Sequence, residues 1–380
     1  SIKPISNRWK AHDQAENWKK ASTSFKSYDQ LQTEINSVKL QNIYKLKNRK
    51  IQEQKALIEE KNREITDSIT YAKRIQEAIL PPLRLVKERI ENSFILYKPK
   101  DIVAGDFYWM EPADDWTIFA AADCTGHGVP GAMVSVVCSN ALNRAVREFE
   151  LSEPAKILDK TLELVIERFE KSEEEVKDGM DIALCSYNSK TKELQYAGAN
   201  NALWIVTQRS MAELGEEAEN RKLAADGWNL YEIKADKQPI GKYHDPKPYS
   251  NHSLQLQEGD SIYIFSDGYA DQFGGPKGKK LKYKPYKELI LSSQDKSMDE
   301  QKELFNNQFE EWMGDFEQVD DVCMIGMKVW LSTNDFVDKH SNMQNPAYSE
   351  TASWINIATS SIKKPRINLR LSKDGASVAW

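Results

Sequence analysis

The longest uniform pattern in the chain is polar and helical. Residues 31–80 contain no Gly and no Pro, and they are rich in Lys, Glu, Gln, Leu and Ile, most of which favour helices. Pro81 and Pro82 follow, and a helix cannot continue through two successive prolines. The pattern therefore predicts one long helix that ends near Leu80.

One heptad seam of this helix is apolar, with residues recurring every seven positions at Ile51, Ile58, Ile65, Ala72 and Ile79. The second seam is polar at Gln54, Lys61 and Ser68, so the pattern does not predict a strong autonomous coiled coil. A long polar helix of this kind usually connects domains or pairs with its own copy. We expect a homodimer through this helix. Its last turns, 69–80, are as well suited to lie against a globular domain.

From about Phe94 onward, the pattern changes to short apolar runs separated by turns. The runs predict strands at 94–97, 107–109, 116–122, 182–187, 194–197 and 202–206, in a run ending at Asp267, and from Val322. Helical patterns cover 130–147, the segment after Ser152, and 298–313. Strands followed by helices and then by more strands favour an α+β fold, an antiparallel β-sandwich flanked by helices, over a doubly wound sheet.

These patterns divide the chain into an unassigned N-terminal segment, a long helix, a globular domain and an unassigned polar tail, at 1–30, 31–82, 83–331 and 332–380. Within the globular domain, the charged stretch 208–228 predicts a surface loop or a short helix. Residues 277–287 predict a basic loop. The 380 residues are enough for one large α/β domain with flanking material.

Acidic residues begin or end several of the apolar runs, at Asp106, Asp123, Asp267 and the pair Asp320 and Asp321. The uninterrupted run 118–122 predicts a strand buried on both faces, which places Asp123 at the rim of a sheet. Converging carboxylates repel one another, and the usual resolution is a hard divalent cation, Mg²⁺ or Mn²⁺, often two of them. At each position alone, ordinary turn chemistry is the alternative, because Asp-Gly is common in turns.

Charge and cysteine content narrow the class of protein. The net charge of −6 gives no overall basic footprint for nucleic acid or anionic membrane. The cysteines lie in or beside apolar runs without a CxxC motif, which indicates reduced thiols in a cytosolic compartment. No apolar run is long enough for a membrane span. The given sequence begins with Ser, so the presence of a sensor domain upstream of it stays an open question. We expect a cytoplasmic protein or the cytoplasmic part of a membrane-anchored receptor.

Six motifs in a fixed order carry a resemblance to a known family: Ala72–Pro81, Val103–Tyr108, Ala122–Gly131, Tyr196–Asn200, Phe265–Gly268 and Asp320–Val322. The segment from about Ile69 to Val329 resembles the PPM (type 2C-like) metal-dependent protein serine/threonine phosphatases, in particular the SpoIIE/RsbU branch. The resemblance implies a central β-sandwich with helices outside and a two-metal cluster at one end. It also implies that the helix before the domain is a regulatory linker.

By this resemblance, Mn²⁺ or Mg²⁺ ligands are expected at Asp106, Asp123, the main-chain carbonyl of Cys124, Asp267 and Asp320. Asp123 would bridge two ions. The adjacent Asp321 stands where relatives have Asn or Asp, so which member of the pair faces the metal stays open. Asp181 has two interpretations, a third and weaker ion site or an ordinary Asp that opens a strand.

The expected catalytic residues are Asp123 and His127. An imidazole titrates near neutrality, so His127 is a candidate acid for the leaving seryl oxygen, and the alternative is that it caps the following helix. Some branches of the family bind phosphate through an Arg before the first motif. The nearby cations here are Lys98 and Lys100, which leaves phosphate binding unassigned.

The resemblance implies hydrolysis of phosphoserine or phosphothreonine on a signalling protein, for example an anti-sigma-factor antagonist. A metal-activated water would attack without a covalent enzyme intermediate. The alternative is a catalytically silent phosphatase-like module that binds a partner. Such a protein would have no need for four clustered carboxylates, whose charges are energetically costly to bury. A two-metal nuclease is a third hypothesis, and the acidic composition disfavours it.

Overall fold

The computed structural model describes residues 4–170, 178–210, 213, 223–225 and 227–330. The chain divides into two compact units, Ser1–Lys328 and Val329–Trp380. Only the first two residues of the second unit are described, so the predicted polar tail 332–380 lies outside the described residues. None of the described helices combines the length and the apolar character needed to cross a bilayer.

The N-terminal helix, α1 (Pro4–Glu77), is 74 residues long. It confirms the predicted long helix and begins well before residue 31, so most of the segment 1–30, which the sequence pattern left unassigned, belongs to the same helix. Pro4 is compatible with this start because the first helical residue needs no N–H donor. The polar sequence before residue 31 contains no later helix breaker, although it lacks an apolar stripe that would have predicted the helix.

The long helix ends at Glu77, slightly before the predicted end at Leu80, and a turn leads into Pro81. Between residues 14 and 68 its described side chains are exposed. The first fully buried side chain is that of Gln76, at 5 % exposure. Contact with the rest of its unit is therefore concentrated in the last turns of the helix.

The strands of the described chain are, in order, β1 (Ser93–Lys98), β2 (Phe107–Ala113), β3 (Trp116–Cys124), β4 (Met180–Asn188), β5 (Glu193–Ala199), β6 (Leu203–Thr207), β7 (Leu223–Ala225), β8 (Trp228–Ile233), β9 (His252–Gln255), β10 (Ser261–Phe265), β11 (Phe273–Gly274), β12 (Lys279–Lys280) and β13 (Val322–Lys328). One antiparallel sheet has the order β1-β13-β10-β6-β8-β7, and the other has the order β2-β3-β4-β5-β9. Strands β11 and β12 form a small separate hairpin.

The described helices that follow α1 are α2 (Leu83–Arg89), α3 (Gly128–Arg147), α4 (Pro154–Glu170), α5 (Gly268–Asp271), α6 (Tyr283–Leu291) and α7 (Met298–Met313). Helices α3 and α4 pack on the sheet that contains β3. Helices α6 and α7 pack on the sheet that contains β10 and β13. The predicted α+β fold, an antiparallel β-sandwich flanked by helices, is confirmed.

Strand β3 shows why the sandwich forms. Ile118, Ala120 and Ala122 lie in the core shared with α3 and α4. Because side chains alternate along a strand, Phe119 and Ala121 point to the opposite face, and they are also fully buried. The prediction of a strand buried on both faces is therefore confirmed, and β3 is a rigid support for whatever stands at its end.

Two local predictions need correction. The stretch 277–287 was expected to be a basic loop, and its second half is the start of helix α6. Pro285 does not prevent this, because it lies in the first turn, where no intrahelical N–H is needed. In the stretch 208–228, where a surface loop or short helix was expected, the described residues 208–210 are irregular and residue 213 is helical, but β7 and the start of β8 at Trp228 are strands that were not predicted. Much of that stretch lies outside the described residues.

Candidate active site

The pairing of β2 with β3 brings two of the predicted acids to one edge. Phe107 is opposite Ala122 in the antiparallel register. Asp106, immediately before β2, and Asp123, near the end of β3, therefore stand side by side. Asp106 is almost completely buried, at 2 % exposure, whereas Asp123 is half-buried.

The other sheet brings two further acids to the same end of the sandwich. Phe265, the last residue of β10, pairs with Met324 near the start of β13. Asp267 follows β10 as the N-cap residue of α5, and Asp320 precedes β13. One β-hairpin and two segments far from it in sequence thus supply carboxylates to the same end of the sandwich.

Burial, together with the charges of neighbouring carboxylates, raises the pKa values of these acids. Burial raises the pKa of Asp106 well above its usual value, and the charge of Asp123 raises it further, against a hydrogen bond from Ser266. Burial likewise raises the pKa of Asp123 strongly, with contributions from the charges of Asp267 and Asp320. The pKa of Asp267 is raised to about 6, mainly by burial. Ionisation of the whole cluster is therefore unfavourable in the metal-free protein, and a bound cation would favour it.

One buried oxygen fits a cation directly. Oδ2 of Asp106 is buried and has no hydrogen-bond partner. A buried acceptor without a donor is costly, and a hard divalent ion with oxygen ligands is what such an atom accommodates. Within the described ranges, no group of three or more acidic, His or Cys side chains is arranged closely enough to hold a metal ion as it stands. The carboxylate oxygens of the cluster are the type of ligand that Mg²⁺ and Mn²⁺ prefer. The carboxylates are also close enough for their charges to affect one another's pKa.

The raised pKa values predict how the metal-free protein responds to pH. A carboxyl whose pKa is higher in the folded state keeps its proton after the unfolded chain has lost it, so the free energy of unfolding falls as pH rises. For Asp267 the fall spans from the unfolded value of about 4 to about 6. In EDTA we expect a melting temperature several degrees lower at pH 7.5 than at pH 5, measured by thermal unfolding. Saturating Mn²⁺ should reduce this difference, and a melting temperature that rises over the interval in EDTA would contradict the prediction.

The structure distinguishes the two adjacent acids at the start of β13. Asp321 is buried, and its carboxylate accepts hydrogen bonds from the main-chain N–H groups of Lys100 at 2.7 Å and Gly105 at 2.7 Å. Asp320 is half-buried, and its charge raises the pKa of Asp106, Asp123 and Asp267. Asp320 thus acts on three members of the acidic cluster, whereas Asp321, whose charge also raises the pKa of Asp106, uses its carboxylate to fix the loop 99–105 in front of β2.

Two glycines allow the loops of the site to touch. A Cβ on Gly105 would stand 2.2 Å from the carbonyl oxygen of Gly126 and 3.2 Å from that of Cys124. A Cβ on Gly131 would stand 2.1 Å from the same Gly126 oxygen. The carbonyl of Cys124 therefore lies beside the main chain that leads into Asp106. Burial raises the pKa of the Cys124 thiol strongly, so only the main chain of this residue is available to a cation.

His127 takes the N-cap position of α3, but its ring forms no capping hydrogen bond. Its Nδ1 lies 2.8 Å from Oδ2 of Asp101, and its Nε2 lies 3.1 Å from Nζ of Lys100. Sequence analysis missed Asp101, because nothing in the local pattern links it to a residue 26 positions later. The ring is thus held by side chains of the loop that Asp321 fixes.

Asp181 is the direct strand partner of Asp123 in the register of β3 and β4. Burial raises its pKa, and a hydrogen bond of 2.8 Å from Nδ2 of Asn200 opposes that rise. Asn200 has a positive φ of 58°, a conformation that Asn tolerates better than most residues. The motif Tyr196–Asn200 therefore supports the edge of the acidic cluster, and Asp181 stands beside it.

The end of α1 is bonded to the same site. Nε2 of Gln76 donates to the carbonyl of Ala104 at 2.5 Å and to Oγ of Ser135 at 3.0 Å. The N–H of Ala104 donates back to Oε1 of Gln76 at 3.1 Å. A single buried amide side chain thus joins the long helix to α3 and to the residues just before Asp106.

The fold and this site together define the class. An antiparallel sandwich with helices on both outer faces, and with clustered carboxylates at one end, is the arrangement of a PP2C-type phosphatase domain. The family model of Stage II sporulation protein E (SpoIIE) matches residues 113–330. The chain belongs to the SpoIIE family and contains a PP2C-type serine/threonine phosphatase domain of that kind. The predicted family is therefore confirmed.

One solved structure supports this assignment, and a second is similar over part of the chain. The SiaA-PP2C domain of Pseudomonas aeruginosa is similar with a TM-score of 0.59 and 29 % identity, over 70 % of this chain and 98 % of that chain. The PP2C phosphatase domain with a regulatory fragment of SpoIIE from Bacillus subtilis has a TM-score of 0.47 and 15 % identity, over 63 % of each chain. A search of curated proteins found no match. Phosphatases of this family depend on Mg²⁺ or Mn²⁺.

Proposed function

We propose that this protein is a Mg²⁺- or Mn²⁺-dependent phosphatase that releases phosphate from phosphoserine or phosphothreonine on a signalling protein. The single observation that carries the proposal is the buried, unpartnered Oδ2 of Asp106 within a cluster of carboxylates of raised pKa. A catalytically silent partner-binding module is the alternative. It gives no reason for this costly cluster, because a buried charge without a partner destabilises the fold.

We assign the ion-holding role to Asp106, Asp123, Asp267 and Asp320, with the main-chain carbonyl of Cys124 as a further ligand. By the family resemblance, Asp123 would be shared by two ions, and Asp181 is the candidate ligand for a third. Divalent ions bound there supply a water of lowered pKa and neutralise phosphoryl oxygens. Asp321 stood among the expected ligands, and we assign it instead to holding the loop 99–105, because its carboxylate already accepts main-chain hydrogen bonds.

His127 is our candidate for proton transfer to the leaving seryl or threonyl oxygen. An alkoxide is a poor leaving group, so a proton delivered in the transition state accelerates its departure. The ring is exposed, and Asp101 fixes its orientation through Nδ1. The working atom in this role is Nε2, which must carry the proton before it can donate it.

The test is phosphate release from a phosphoserine peptide in Mn²⁺, with the same peptide carrying phosphotyrosine as the matched control. We expect release from phosphoserine and phosphothreonine that stops in EDTA. Turnover of the phosphotyrosine peptide at an equal rate would contradict the substrate class. The natural phosphoprotein, for which an anti-sigma-factor antagonist is the family-based hypothesis, then becomes the next question.

We also propose that the long helix α1 regulates the site, with dimerisation through α1 and an upstream sensor as the partners expected from the sequence. Its described apolar side chains, including Ile51, Ile58 and Ile65, are exposed and available to a second copy. The hydrogen bonds of Gln76 connect the end of the helix to the residue two positions before Asp106. A shift of α1 would therefore reach the main chain of a proposed metal ligand.

Removal of residues 1–68 tests this regulatory role. The shortened chain keeps Gln76 and its contacts, so we expect basal Mn²⁺-dependent hydrolysis to remain within a few-fold of the full chain. The oligomeric state, measured by light scattering at several concentrations, should change. Complete loss of Mn²⁺ binding on this truncation would mean that the removed helix is part of the catalytic fold and is not a regulator.

A further inference from the structure

Positive charge is concentrated in one stretch of the described surface. Residues 272–287 contain six Lys and neither Asp nor Glu, whereas the whole chain has a net charge of −6. Five of these lysines are exposed, on the hairpin of β11 and β12 and at the start of α6: Lys277, Lys279, Lys280, Lys282 and Lys284. We call residues 277–284 the basic segment. It is a strongly positive patch on a negatively charged protein.

Three of the five charges lack a partner. The ammonium of Lys280 lies 2.6 Å from a carboxylate oxygen of Asp271, and that of Lys284 lies 3.9 Å from one of Glu288. Among the residues that the structure describes, no carboxylate forms an ion pair with the other three: Lys277, Lys279 and Lys282. Like charges held close together repel one another, so an anionic partner would relieve this repulsion.

Lys282 is held in a backbone conformation that suits Gly. Its φ is 67° and its ψ is 167°, a combination that is almost restricted to Gly. Its N–H donates to the carbonyl of Ala270 at 2.7 Å, which holds the main chain in this conformation. Gly would adopt the same conformation without a steric cost. The main chain therefore gives no reason for a Lys here, and its charge is the remaining candidate reason.

The basic segment begins close to the acidic cluster. The N–H of Asp271 donates to the carbonyl of Asp267 at 3.0 Å across the single turn of α5, and the carboxylate of Asp271 holds Lys280. One helical turn rises about 5.4 Å. The hydrogen bond with Asp271 raises the pKa of Lys280, and the charges of Asp267 and Asp320 add to that rise. The lysines therefore lie within electrostatic range of the proposed metal ligands.

Helix α7 fixes the hairpin that carries the basic segment. The N–H of Gly275 donates to the carbonyl of Trp312 at 2.8 Å, and a Cβ on Gly275 would stand 2.7 Å from the indole ring. Nε1 of Trp312 donates to the carbonyl of Gln272 at 3.0 Å. A surface fixed in this way loses little conformational entropy when a partner binds, so its charge is preorganised for recognition.

We propose that the basic segment docks an acidic stretch of the phosphoprotein substrate, beside the phosphorylated Ser or Thr. The inference rests on the proposed phosphatase function and adds the kind of sequence that the site accepts. In this arrangement the phosphate goes to the metal site, and the lysines contact Asp and Glu side chains of the substrate.

The charges around the site favour a peptide as the partner. An extended chain advances about 3.3 Å per residue, so acidic side chains a few residues from the phosphoserine reach the basic segment while the phosphate reaches the cluster. Without these lysines, the carboxylates of the cluster would repel such a sequence. A flat anionic membrane would meet the acidic cluster together with the lysines, whereas a peptide can follow the hairpin alone.

The test measures kcat/KM of the full chain in Mn²⁺ on three phosphoserine peptides of equal length that carry Glu, Gln or Lys at the same flanking positions. At low ionic strength we expect the Glu peptide to exceed the Gln peptide about tenfold and the Lys peptide to be the poorest, since rim charges mainly raise the association rate. High salt should reduce the preference. In the triple variant Lys277→Gln, Lys279→Gln and Lys282→Gln it should fall to about twofold or less.

The matched control removes the same charge from three exposed lysines of other elements, by Lys55→Gln, Lys156→Gln and Lys190→Gln, and it should keep the preference. Hydrolysis of p-nitrophenyl phosphate, which has no flanking residues, separates docking from chemistry. Equal rates of the wild type on the Glu and Gln peptides would overturn the proposal. A fall with p-nitrophenyl phosphate in the triple variant as large as the fall with the Glu peptide would also overturn it.

Lys282→Gly separates the charge of this residue from its backbone conformation. We expect a melting temperature equal to or higher than that of the wild type, because the strain is removed. The preference for the Glu peptide should fall about two- to threefold, and Lys282→Arg should keep it. A lower melting temperature with an unchanged preference would assign Lys282 to the fold and overturn its part in docking.

Failure of the proposed function has a different signature. If the wild type hydrolyses none of the peptides, docking is measured by fluorescence anisotropy of the labelled Glu and Gln phosphopeptides, with phosphatidylserine vesicles as a second ligand. Stronger binding of the Glu peptide that weakens in the triple variant would support the docking role. Equal binding of the two peptides, or a loss of vesicle binding alone in the triple variant, would overturn it.

Discussion

Replacement of Asp123 by Asn is expected to abolish metal-dependent phosphate release, with a fall in kcat on the order of 10³-fold or more, since metal electrostatics contribute several kcal/mol to the transition state. Asn keeps the shape of the side chain but removes its negative charge. The site then loses the carboxylate that is proposed to bridge two ions. The measurement is steady-state hydrolysis of p-nitrophenyl phosphate across a Mn²⁺ series, so that weakened metal binding is separated from lost chemistry.

The same variant should fold normally. Burial and the charges of Asp267 and Asp320 raise the pKa of Asp123, so the ionised side chain destabilises the metal-free protein near neutral pH. In EDTA we therefore expect Asp123→Asn to unfold at an equal or higher urea concentration than the wild type. The matched control is Asp115→Asn. Asp115 is an exposed residue in the turn between β2 and β3, and its carboxylate pairs with Lys190. Near-normal activity in Asp123→Asn would show that the metal assignment is wrong.

The second large effect separates the adjacent acids at the start of β13. Asp321→Asn should lower the free energy of unfolding by about 1–3 kcal/mol, because it leaves one buried main-chain N–H without an acceptor. Burial raises the pKa of Asp321, so removal of its charge offsets part of that loss. The amide has one acceptor oxygen, so the N–H groups of Lys100 and Gly105 cannot both be satisfied as they are by the carboxylate. Urea unfolding in EDTA measures this loss directly.

Asp320→Asn should behave in the opposite way. Its carboxylate raises the pKa of its neighbours in the cluster, so its neutralisation should keep or increase the stability of the metal-free protein while Mn²⁺ affinity and hydrolysis fall. Each variant serves as the matched control for the other, since the substitution is the same and the positions are adjacent. Lost metal binding in Asp321→Asn with full stability, and the reverse in Asp320→Asn, would exchange the two roles.

The sequence predicted the elements whose burial is uniform. The run 118–122 has no polar residue, and a strand buried on both faces is the simplest structure that explains it. Strand β8 (Trp228–Ile233) was not predicted because polar side chains interrupt it and it follows a charged stretch. The start of α6 has the sequence pattern of a basic loop because Lys and Pro285 dominate it, although a proline in the first turn is compatible with a helix.

The candidate site was predictable only as far as local pattern extends. Asp123 and Asp267 each stand at or just after the end of an apolar run and Asp106 stands directly before one, so the strands themselves indicated them. Asp320 and Asp321 share one such position, and only a contact across 221 residues, from Lys100 to Asp321, distinguishes them. The same limit applies to Asp101, whose contact with His127 spans 26 residues.

Gln76 is a partial exception, because it lies within the motif Ala72–Pro81 that carried part of the family resemblance. The pattern could not say what the side chain does, since its partners Ala104 and Ser135 are 28 and 59 residues away. Helix propensity alone would allow almost any polar residue at this position. Its role as the bond between α1 and the residues before Asp106 is visible only in the folded chain.

The most direct test of the central claim, that the carboxylates at this end of the sandwich form a metal-dependent phosphatase site, is hydrolysis of p-nitrophenyl phosphate by the full chain in Mn²⁺, in Mg²⁺ and in EDTA. We predict turnover in at least one of the two metals, with none in EDTA and none in Asp123→Asn. Turnover that persists in EDTA would contradict the account. Absence of hydrolysis in every condition, together with absence of Mn²⁺ binding by calorimetry, would also contradict the account. That result would favour the catalytically silent partner-binding module.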